Sequence, residues 1–438
     1  MLRDHFCSSP WFHLRINPNG GYAPCRWDFS LRNSGKNIRD TGLLEYFNSE
    51  EMCGLRNSLL HGEATLTCQS CHYEDGQNKV SGRQRQLLKS AIDVRNFDKT
   101  FCSSPHYEIF KHSYEHQGKT SKLPVDLQID LGNTCNSACI MCHPMFSSRL
   151  QDEYIKLSAI EPNLFFVPAR SHNWADDPVL LEKFINDLEK IPDLKYLHFL
   201  GGETLYLKSF YNICEKLIER GIAKNISIGT TTNGTVYTPK LEKILTEFKH
   251  VHLGLSVESM HDINDYVRWP SKISDVRSNM QKFLSLRDKY NIQVSLRITP
   301  TIFTVYHLDT IFKYMIENNV IAESCNILQD PRSLRVELLP DDLRQTVLEK
   351  INKVINQYNL IDPCQSIVNR RRDDLIGPVI SQVVFEYRNF LESYQTPATA
   401  TADREELVKF IRAFEKLHGN SILDYLPEYE KFLRSCGY

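Results

Sequence analysis

The chain has 438 residues, which is more than one ordinary hydrophobic core holds, so two or three domains are expected. Hydrophobic residues make up 41% and charged residues 24%, as in globular proteins, and a net charge of −2 gives no bulk electrostatic reason to expect nucleic acid or a membrane as partner. No apolar run approaches the roughly 20 residues that span a bilayer, and the N-terminus lacks the apolar segment of a secretory signal. We therefore expect a cytoplasmic protein whose 13 cysteines stay reduced and serve metal or redox chemistry.

Residues 1–100 form the first predicted unit, which is rich in turn residues and cysteine. Segments 13–16 and 22–26 are predicted strands, joined by a tight turn at Gly20, where the missing side chain lets backbone amides approach a metal centre. Cys53 lies in a helical pattern and is predicted to be a packed thiol. Four further thiolates are enough to close a metal site, and both iron–sulfur clusters and zinc use such a set. These four are Cys7, Cys25, Cys68 and Cys71.

Residues 101–122 are predicted to form a linker, and the basic side chains that precede it, such as Arg83, are predicted to lie on a solvated helix. From 123 to 330 the pattern alternates strand and helix, which implies parallel strands and βα units. The predicted strands are 125–131, 196–200, 226–231, 251–257, 293–299 and 324–328. Residues 331–438 are predicted to be helical and to close the barrel or contact the N-terminal unit.

Three cysteines follow the first of these strands on a loop, spaced C-x3-C-x2-C: Cys135, Cys139 and Cys142. Thiolates this close can hold one metal centre, and thiolate is the ligand that iron–sulfur clusters prefer. Three ligands leave one iron of a four-iron cluster without a protein ligand, free to bind a small molecule. The alternatives are three cysteines without metal, or a zinc site completed by His143.

Polar and glycine residues follow the later strands, at the carboxyl ends of the predicted parallel strands. Gly201, Gly202 and Glu203 come after the second strand, where paired glycines let the backbone pass close to a ligand and a carboxylate can hold an ammonium group. Three polar residues lie near the ends of later strands. Two of them are separated by one residue, so their side chains point to the same side, and the third is an arginine that could bind a carboxylate. They are Ser256, Glu258 and Arg297.

The three-cysteine motif behind a first strand resembles the radical S-adenosylmethionine (radical SAM) enzymes. The resemblance implies a partial (β/α)6 barrel and a 4Fe–4S cluster whose open iron chelates the methionine part of SAM. It also implies that an electron from the cluster cleaves SAM to a 5′-deoxyadenosyl radical, which abstracts hydrogen from substrate. Within this resemblance Gly201, Gly202 and Glu203 match the family's GGE motif and contact the SAM amino group. Met141 replaces the usual aromatic residue near the adenine.

The family resemblance also implies roles for the remaining strand-end residues. Ser256 and Glu258 would hold the ribose hydroxyls of SAM, and Arg297 would hold its carboxylate. The family pattern leaves the catalytic acid or base unidentified.

The cysteine pattern of residues 1–100 is similar to the start of the SPASM domain of radical SAM enzymes. No further cysteine follows soon after Cys71, so the shorter twitch form with one auxiliary 4Fe–4S cluster fits better, and its place before the barrel departs from the family habit. Zinc remains the alternative for this site. The fold class expected is α/β, with a partial (β/α)6 radical SAM barrel, a small N-terminal α+β iron–sulfur domain and a helical C-terminal segment.

The resemblance implies an oxidoreductase in which the auxiliary cluster transfers an electron or positions substrate, with a flavodoxin- or ferredoxin-type electron donor. A peptide or protein side chain is the favoured substrate, and a dehydrogenase or epimerase of a small molecule is the alternative. A non-catalytic zinc or iron–sulfur scaffold is a hypothesis of another class. Loop 158–177, which carries Arg170 and His172, is predicted to be either a lid that faces the substrate or a plain surface insertion. Cys364 is predicted to be a core residue.

Overall fold

The computed structural model describes residues 2–26, 35–76, 81–162, 164–168, 173–322, 325–362 and 380–438. In these residues the chain forms an eight-stranded sheet in which the two N-terminal strands lie beside the strands of the barrel. The strands are β1 (His13–Ile16), β2 (Tyr22–Ala23), β3 (Asp126–Asp130), β4 (Tyr196–Leu200), β5 (Ser227–Thr232), β6 (His250–Ser256), β7 (Ile292–Arg297) and β8 (Ile321–Ala322). Their order across the sheet is β2, β1 and then β3 to β8, with only the β1–β2 pair antiparallel.

Helices cover the sheet and form most of both ends of the chain. Before β3 they are α1 (Leu2–His5), α2 (Ser9–Phe12), α3 (Leu43–Phe47), α4 (Glu50–Leu60), α5 (Gln69–Gly76), α6 (Gly82–Lys89), α7 (Phe97–Cys102) and α8 (Tyr107–Glu115). Between β3 and β8 they are α9 (Ser148–Ile160), α10 (Pro178–Glu189), α11 (Lys208–Glu219), α12 (Pro239–Thr246), α13 (Ile263–Val267), α14 (Ile273–Lys289) and α15 (Leu308–Glu317). The C-terminal helices are α16 (Asp341–Gln357), α17 (Ile380–Ser393), α18 (Ala400–His418) and α19 (Glu430–Ser435). Among the described residues, no helix combines the length and apolar character needed to cross a bilayer.

The two faces of the barrel strands differ in chemistry. Leu127 and Ile129 of β3, like Leu197 of β4, belong to the main apolar core. The alternate positions, such as Gln128 of β3 and His198 of β4, lie side by side on the opposite face. The sheet therefore packs its helices on one face and encloses a polar interior on the other.

The N-terminal hairpin extends the barrel sheet, because β1 pairs in parallel with β3. Arg15 of β1 donates from Nε to Asp130 Oδ2 over 2.7 Å, and both side chains are buried. Arg26 reaches Asp126 over 2.8 Å, and His13 Nδ1 lies 3.3 Å from the same carboxylate. Two ion pairs, one of them buried and the other partly buried, thus join the N-terminal unit to the first barrel strand.

Five of the six predicted barrel strands lie within two residues of their expected bounds, which confirms the mixed α/β class with a mostly parallel sheet. The prediction of a sixth strand at 324–328 is wrong, since the last strand among the described residues is β8 and residues 325–328 form none. Beyond it, the Tyr387 hydroxyl contacts both the Asn326 amide (3.1 Å) and the Ile298 carbonyl (3.0 Å). The Tyr387 side chain of α17 therefore binds backbone groups that would otherwise pair two strands.

The second N-terminal strand is shorter than predicted. Segment 22–26 was expected to be extended throughout, whereas β2 ends at Ala23. Pro24 follows directly and has no amide hydrogen to donate to a neighbouring strand. Of loop 158–177, Trp174 is buried in the main core, while Arg170 and His172 lie outside the described residues, as does Cys364.

The C-terminal helices pack against the barrel, next to the start of α9. Leu407, Phe410, Ile411 and Phe414 form the buried face of α18, as their helical spacing predicts. Ala413 of this helix joins a small apolar cluster with Leu150 and Tyr154 of α9. The helical C-terminal region therefore stabilises the segment that directly follows the three-cysteine loop.

Candidate functional site: a three-cysteine cavity and a four-cysteine site

The three-cysteine loop leaves the carboxyl end of β3. Gly132 begins it with φ of +84°, a conformation that favours glycine, and a Cβ there would lie 3.2 Å from Asn173. The loop is anchored to the start of α9, because Ser147 Oγ donates to the Ser137 carbonyl (2.7 Å) and the Cys135 amide donates to Ser148 Oγ (3.2 Å). The thiols are thus positioned by a loop whose two ends are fixed.

One cavity of about 370 Å³ brings most of the predicted site residues together. It is lined by Cys135, Cys139, Met141, Cys142, Gly201, Gly202, Glu203, Ser256 and Glu258. These residues come from the cysteine loop and from the ends of β4 and β6, and they are up to 123 positions apart in the sequence. The carboxyl ends of parallel strands meet at one edge of a barrel, which explains the assembly.

The glycine pair allows the loop after β4 to lie directly on the cysteine loop. A Cβ on Gly202 would fall 2.3 Å from the Thr134 carbonyl oxygen, closer than any real contact. The Gly202 amide donates to the Gly132 carbonyl over 3.1 Å, and the Glu203 amide donates to the Thr134 carbonyl over 3.0 Å. Position 202 therefore requires glycine for packing against the cysteine loop.

Glu203 is buried at the side of this cavity with a largely satisfied carboxylate. It accepts hydrogen bonds from the Asn233 amide (2.6 Å), Thr232 Oγ1 (2.7 Å) and the Leu205 amide (3.1 Å). Burial raises the pKa of Glu203, and these three donors oppose that shift. A carboxylate offers about four lone-pair positions, so one remains for an ammonium donor in the cavity.

Burial disfavours the thiolate form of the three cysteines when no metal is bound. Burial raises the pKa values of Cys135 and Cys142 to about 12, and charge on Cys139 adds to both shifts. Iron or zinc would displace these protons, since metals bind thiolates.

Arg268 is a cavity residue that the sequence patterns did not indicate. It follows α13, and its guanidinium is held by both carboxylate oxygens of Glu258, with Nη2 2.7 Å from Oε1 and Nε in closer contact with Oε2. Burial opposes a charge here, but Glu258 keeps the pKa of Arg268 above its ordinary value. No local motif marks this arginine, because its carboxylate partner lies ten positions earlier and Cys139 lies 129 positions earlier.

Arg297 is the one predicted SAM-contacting residue that does not line the cavity in the described residues. Its side chain lies across Gly254 of the neighbouring strand, where a Cβ would be 2.8 Å from the arginine Nε. Its role toward a carboxylate stays a prediction.

The donor chemistry of this cavity fits a cluster with one open iron. Three thiols line one side, and the lining that the structure describes contains no fourth cysteine and no histidine. His143, the residue that could complete a zinc site, instead accepts a hydrogen bond from the Met145 amide at its Nδ1 (3.1 Å). Cys135, Cys139 and Cys142 would hold the cluster, and the polar side of the cavity would face its open iron.

The four N-terminal cysteines come from three separate segments. Cys7 follows α1, Cys25 follows β2, Cys68 ends a 3-10 turn and Cys71 lies on α5. Burial raises the pKa of Cys7 well above its ordinary value, and charges on Cys68, Cys25 and Cys71 raise it further, so these three thiols lie within electrostatic reach of Cys7.

Cys53 and Gly20 behave as the sequence predicts. Cys53 is buried and contacts the Asn48 carbonyl, which makes it a packed thiol outside this set. Gly20 has φ of +88°, and a Cβ there would lie 2.7 Å from Asn37 Oδ1, so the turn before Cys25 requires glycine.

Arg83 connects the segments that carry Cys7 and Cys71, and the prediction that it is solvated is wrong. Its side chain is buried, with Nε 2.8 Å from Asp75 Oδ2 on α5 and Nη1 3.3 Å from the Phe6 carbonyl. The helical spacing of basic residues predicted a solvated face, whereas Arg83 is buried and binds two separate segments of the chain.

In the described residues, no three Cys, His, Asp or Glu side chains stand close enough to hold a single metal ion.

Comparison with known protein families matches two regions of the chain. The sequence model of the radical SAM superfamily matches residues 129–300, which include the three cysteines, the glycine pair and the polar strand ends. The model of the SPASM iron–sulfur cluster-binding domain matches residues 7–72, which include all four N-terminal cysteines. No curated protein sequence matches the chain.

Several solved structures resemble the fold weakly. Native anSMEcpe with bound AdoMet is 19% identical, with a TM-score of 0.37 over 53% of this chain and 61% of that one. Streptococcus suis SuiB bound to precursor peptide SuiA is 14% identical, with a TM-score of 0.35 over 70% and 64% of the two chains. TYW1 with a lysine-pyruvate adduct is 11% identical, with a TM-score of 0.28 over 54% and 72%. The chain spans about three-fifths of the length of the first of these structures.

The two matched regions coincide with the two cysteine sites, and the barrel topology agrees with the match. Iron–sulfur clusters of the 4Fe–4S type and SAM are the cofactors of such a pair of domains. The chain therefore contains a radical SAM domain at residues 129–300 and an N-terminal SPASM iron–sulfur cluster-binding domain at residues 7–72.

Proposed function

We propose that this enzyme cleaves SAM reductively and removes a hydrogen atom from a peptide or protein side chain. The observation that carries the proposal is the cavity in which three thiols face Glu203, Ser256 and the glycine pair. A cluster held there by three cysteines would supply the electron that opens the sulfonium of SAM, and the resulting 5′-deoxyadenosyl radical would take the hydrogen atom. The protein's own part is to bind and orient SAM and to exclude water.

The residues of the cavity suit the parts of SAM. The free lone pair of Glu203 would accept a hydrogen bond from the methionine ammonium group, beside a backbone that Gly202 brings close. Met141 would pack near the adenine, and Ser256 and Glu258 would reach the ribose hydroxyls. Since Arg268 already occupies two positions on the Glu258 carboxylate, we propose that Ser256 carries most of the ribose contact.

We further propose that the auxiliary site makes the overall reaction an oxidation. A substrate that has lost a hydrogen atom becomes a stable product when it loses one more electron and one proton. An auxiliary 4Fe–4S cluster on Cys7, Cys25, Cys68 and Cys71 would accept that electron, and a flavodoxin- or ferredoxin-type protein would supply the electron for SAM. We keep a cytoplasmic location, where cysteines stay reduced, as part of the proposal.

Exposed aromatic side chains near the cavity support a peptide substrate over a small molecule. Phe146 lines the cavity and is 48% exposed, and Tyr206, which follows the glycine pair, is 54% exposed. Aromatic side chains are enriched in interfaces between protein chains, which supports a peptide at this cavity.

Anaerobic reconstitution tests the catalytic proposal. We expect about eight irons and eight sulfides per chain, from two four-iron clusters, and formation of 5′-deoxyadenosine from SAM and a reductant. Zinc at both sites with no SAM cleavage would contradict it.

A deuterium-transfer experiment tests the class of substrate. Extract from cells grown in deuterated medium is separated by size into macromolecules and small molecules, and each fraction is incubated with the enzyme, SAM and reductant. We expect deuterium in 5′-deoxyadenosine with the macromolecular fraction. Transfer from the small-molecule fraction alone would show that the substrate is a small metabolite and not a peptide. The proposal of radical chemistry would still stand.

A further inference from the structure

Arg268 lies on a backbone segment that is bound to the cysteine loop on both sides of Cys139. The Ala138 amide donates to the Trp269 carbonyl over 2.7 Å, and the Ile140 amide donates to the Val267 carbonyl over 2.9 Å. The arginine between those two acceptors is therefore fixed next to the central cysteine of the loop.

Two of the three guanidinium nitrogens of Arg268 bind Glu258, and the third is left for another acceptor. Nε and Nη2 both contact the carboxylate, which fixes the plane of the group. The remaining nitrogen, Nη1, donates toward Cys139 Sγ over 3.6 Å, within the range of a hydrogen bond to sulfur. Because Glu258 neutralises the charge of Arg268, the directed N–H donor is the main effect that remains at the sulfur.

We propose that Arg268, held in place by Glu258, is a positioning residue that raises the reduction potential of the SAM-binding cluster. The inference rests on the proposed function in one respect, namely that Cys139 is a cluster ligand. A hydrogen bond to a ligand sulfur stabilises the reduced cluster, which carries more negative charge, and such bonds are among the determinants of cluster potential. Arg268 thereby makes the cluster easier to reduce by the electron donor, before the cluster passes that electron to SAM.

The test is a redox titration of reconstituted holoenzyme followed by electron paramagnetic resonance. Addition of SAM identifies the signal of the open-site cluster, because only that cluster binds it, and the titration itself is done without SAM. We expect Arg268→Gln to move the midpoint potential of this cluster to a more negative value, with the auxiliary potential unchanged. Arg268→Lys keeps a cation but cannot hold both Glu258 and Cys139 in a fork, and we expect an intermediate shift.

Lys272→Gln is the matched control. This lysine is a nearby cation, but it is 56% exposed and pairs with Asp265 over 3.2 Å, so its loss should leave the potential unchanged. An equal shift in this variant would show a general charge effect and overturn the inference.

The remaining outcomes are also decisive. A wild-type potential in Arg268→Gln with full iron content overturns the inference, even if SAM binding weakens, since the arginine would then serve the cofactor alone. If both Arg268 variants lose the open-site cluster, the residue acts in assembly and the inference is wrong. Failure of the wild-type enzyme to bind a cluster or cleave SAM would instead refute the proposed function.

Discussion

The two cysteine sites differ in how the chain builds them. The barrel site draws three thiols from a single eight-residue stretch, 135–142, and places them in a cavity that also contains a carboxylate and paired glycines. The N-terminal site gathers four thiols from segments up to 64 positions apart, and the buried Arg83–Asp75 pair connects two of those segments. The first arrangement leaves space for a ligand of the metal centre, whereas the second can complete the centre with protein atoms alone.

The comparison teaches that the number of thiolates and their surroundings separate a reactive metal centre from a closed one. Iron–sulfur chemistry is available to both sites, but only the cavity offers a lone pair on Glu203 and backbone close to a ligand. Substitutions that remove one site and leave the other are therefore the strongest tests of the account.

Cys139→Ala has the largest expected effect. We expect SAM cleavage to be abolished, because two thiolates do not hold a four-iron cluster in place, while the iron content falls from about eight to about four per chain. Iron and sulfide assays together with the yield of 5′-deoxyadenosine check this. Cys102→Ala, at an exposed cysteine, is the control and should match the wild type. Normal cleavage in Cys139→Ala would refute the assignment of the open cluster.

Cys68→Ala is the converse substitution. It should remove about four irons and leave reductive SAM cleavage in place, because the barrel cavity does not use this thiol. Turnover of the substrate should be lost, which separates radical formation from product formation. Cys53→Ala changes a buried thiol outside the set and should keep both clusters. Equal loss of SAM cleavage in Cys68→Ala would show that the two sites are not independent.

Gly202→Ala sharpens the comparison by altering the cavity while all the thiols remain. The added methyl group would lie 2.3 Å from the Thr134 carbonyl oxygen, so the loop after β4 must move away from the cysteine loop. We expect the dissociation constant for SAM to rise about tenfold or more, which corresponds to about 1.4 kcal/mol, with unchanged iron content. Gly54→Ala has open space around the new methyl group and serves as the control. Unchanged SAM affinity would contradict the close approach of backbone to cofactor.

Asp130→Asn tests the connection between the two regions. Arg15 belongs to the segment matched by the SPASM model, and its buried guanidinium would lose the charge of its partner on β3. Breaking a buried ion pair costs about 3–5 kcal/mol of unfolding free energy. Denaturant unfolding of the apo protein measures this, with Arg434→Gln, which removes an exposed cation from a surface ion pair with Glu430, as the control. A change below about 1 kcal/mol would show that the pair does not hold the hairpin to the barrel.

Sequence patterns were sufficient where the signal is local. The alternation of β4 at 196–200 and the spacing of Cys135, Cys139 and Cys142 are written in adjacent residues, and the structure agrees with the first and places the second in one cavity. The parallel barrel then explains why Glu203 and Ser256 meet there.

Sequence patterns failed where a contact joins distant residues. The role of Arg268 depends on Glu258 and on Cys139, and no spacing within α13 or its flanks signals either contact. The end of the sheet depends on a hydroxyl of Tyr387, 61 positions from the backbone that it contacts. Strand prediction uses only neighbouring residues, so it cannot detect contacts of this kind.

The most direct test of the central claim is electron–nuclear double resonance on the reduced enzyme with SAM labelled with ¹⁵N at the amino group and ¹⁷O at the carboxylate. If Cys135, Cys139 and Cys142 leave one iron open, both labels will show hyperfine coupling to the cluster, and Cys68→Ala will retain that coupling. A reduced cluster that binds SAM without coupling to either label would contradict the account.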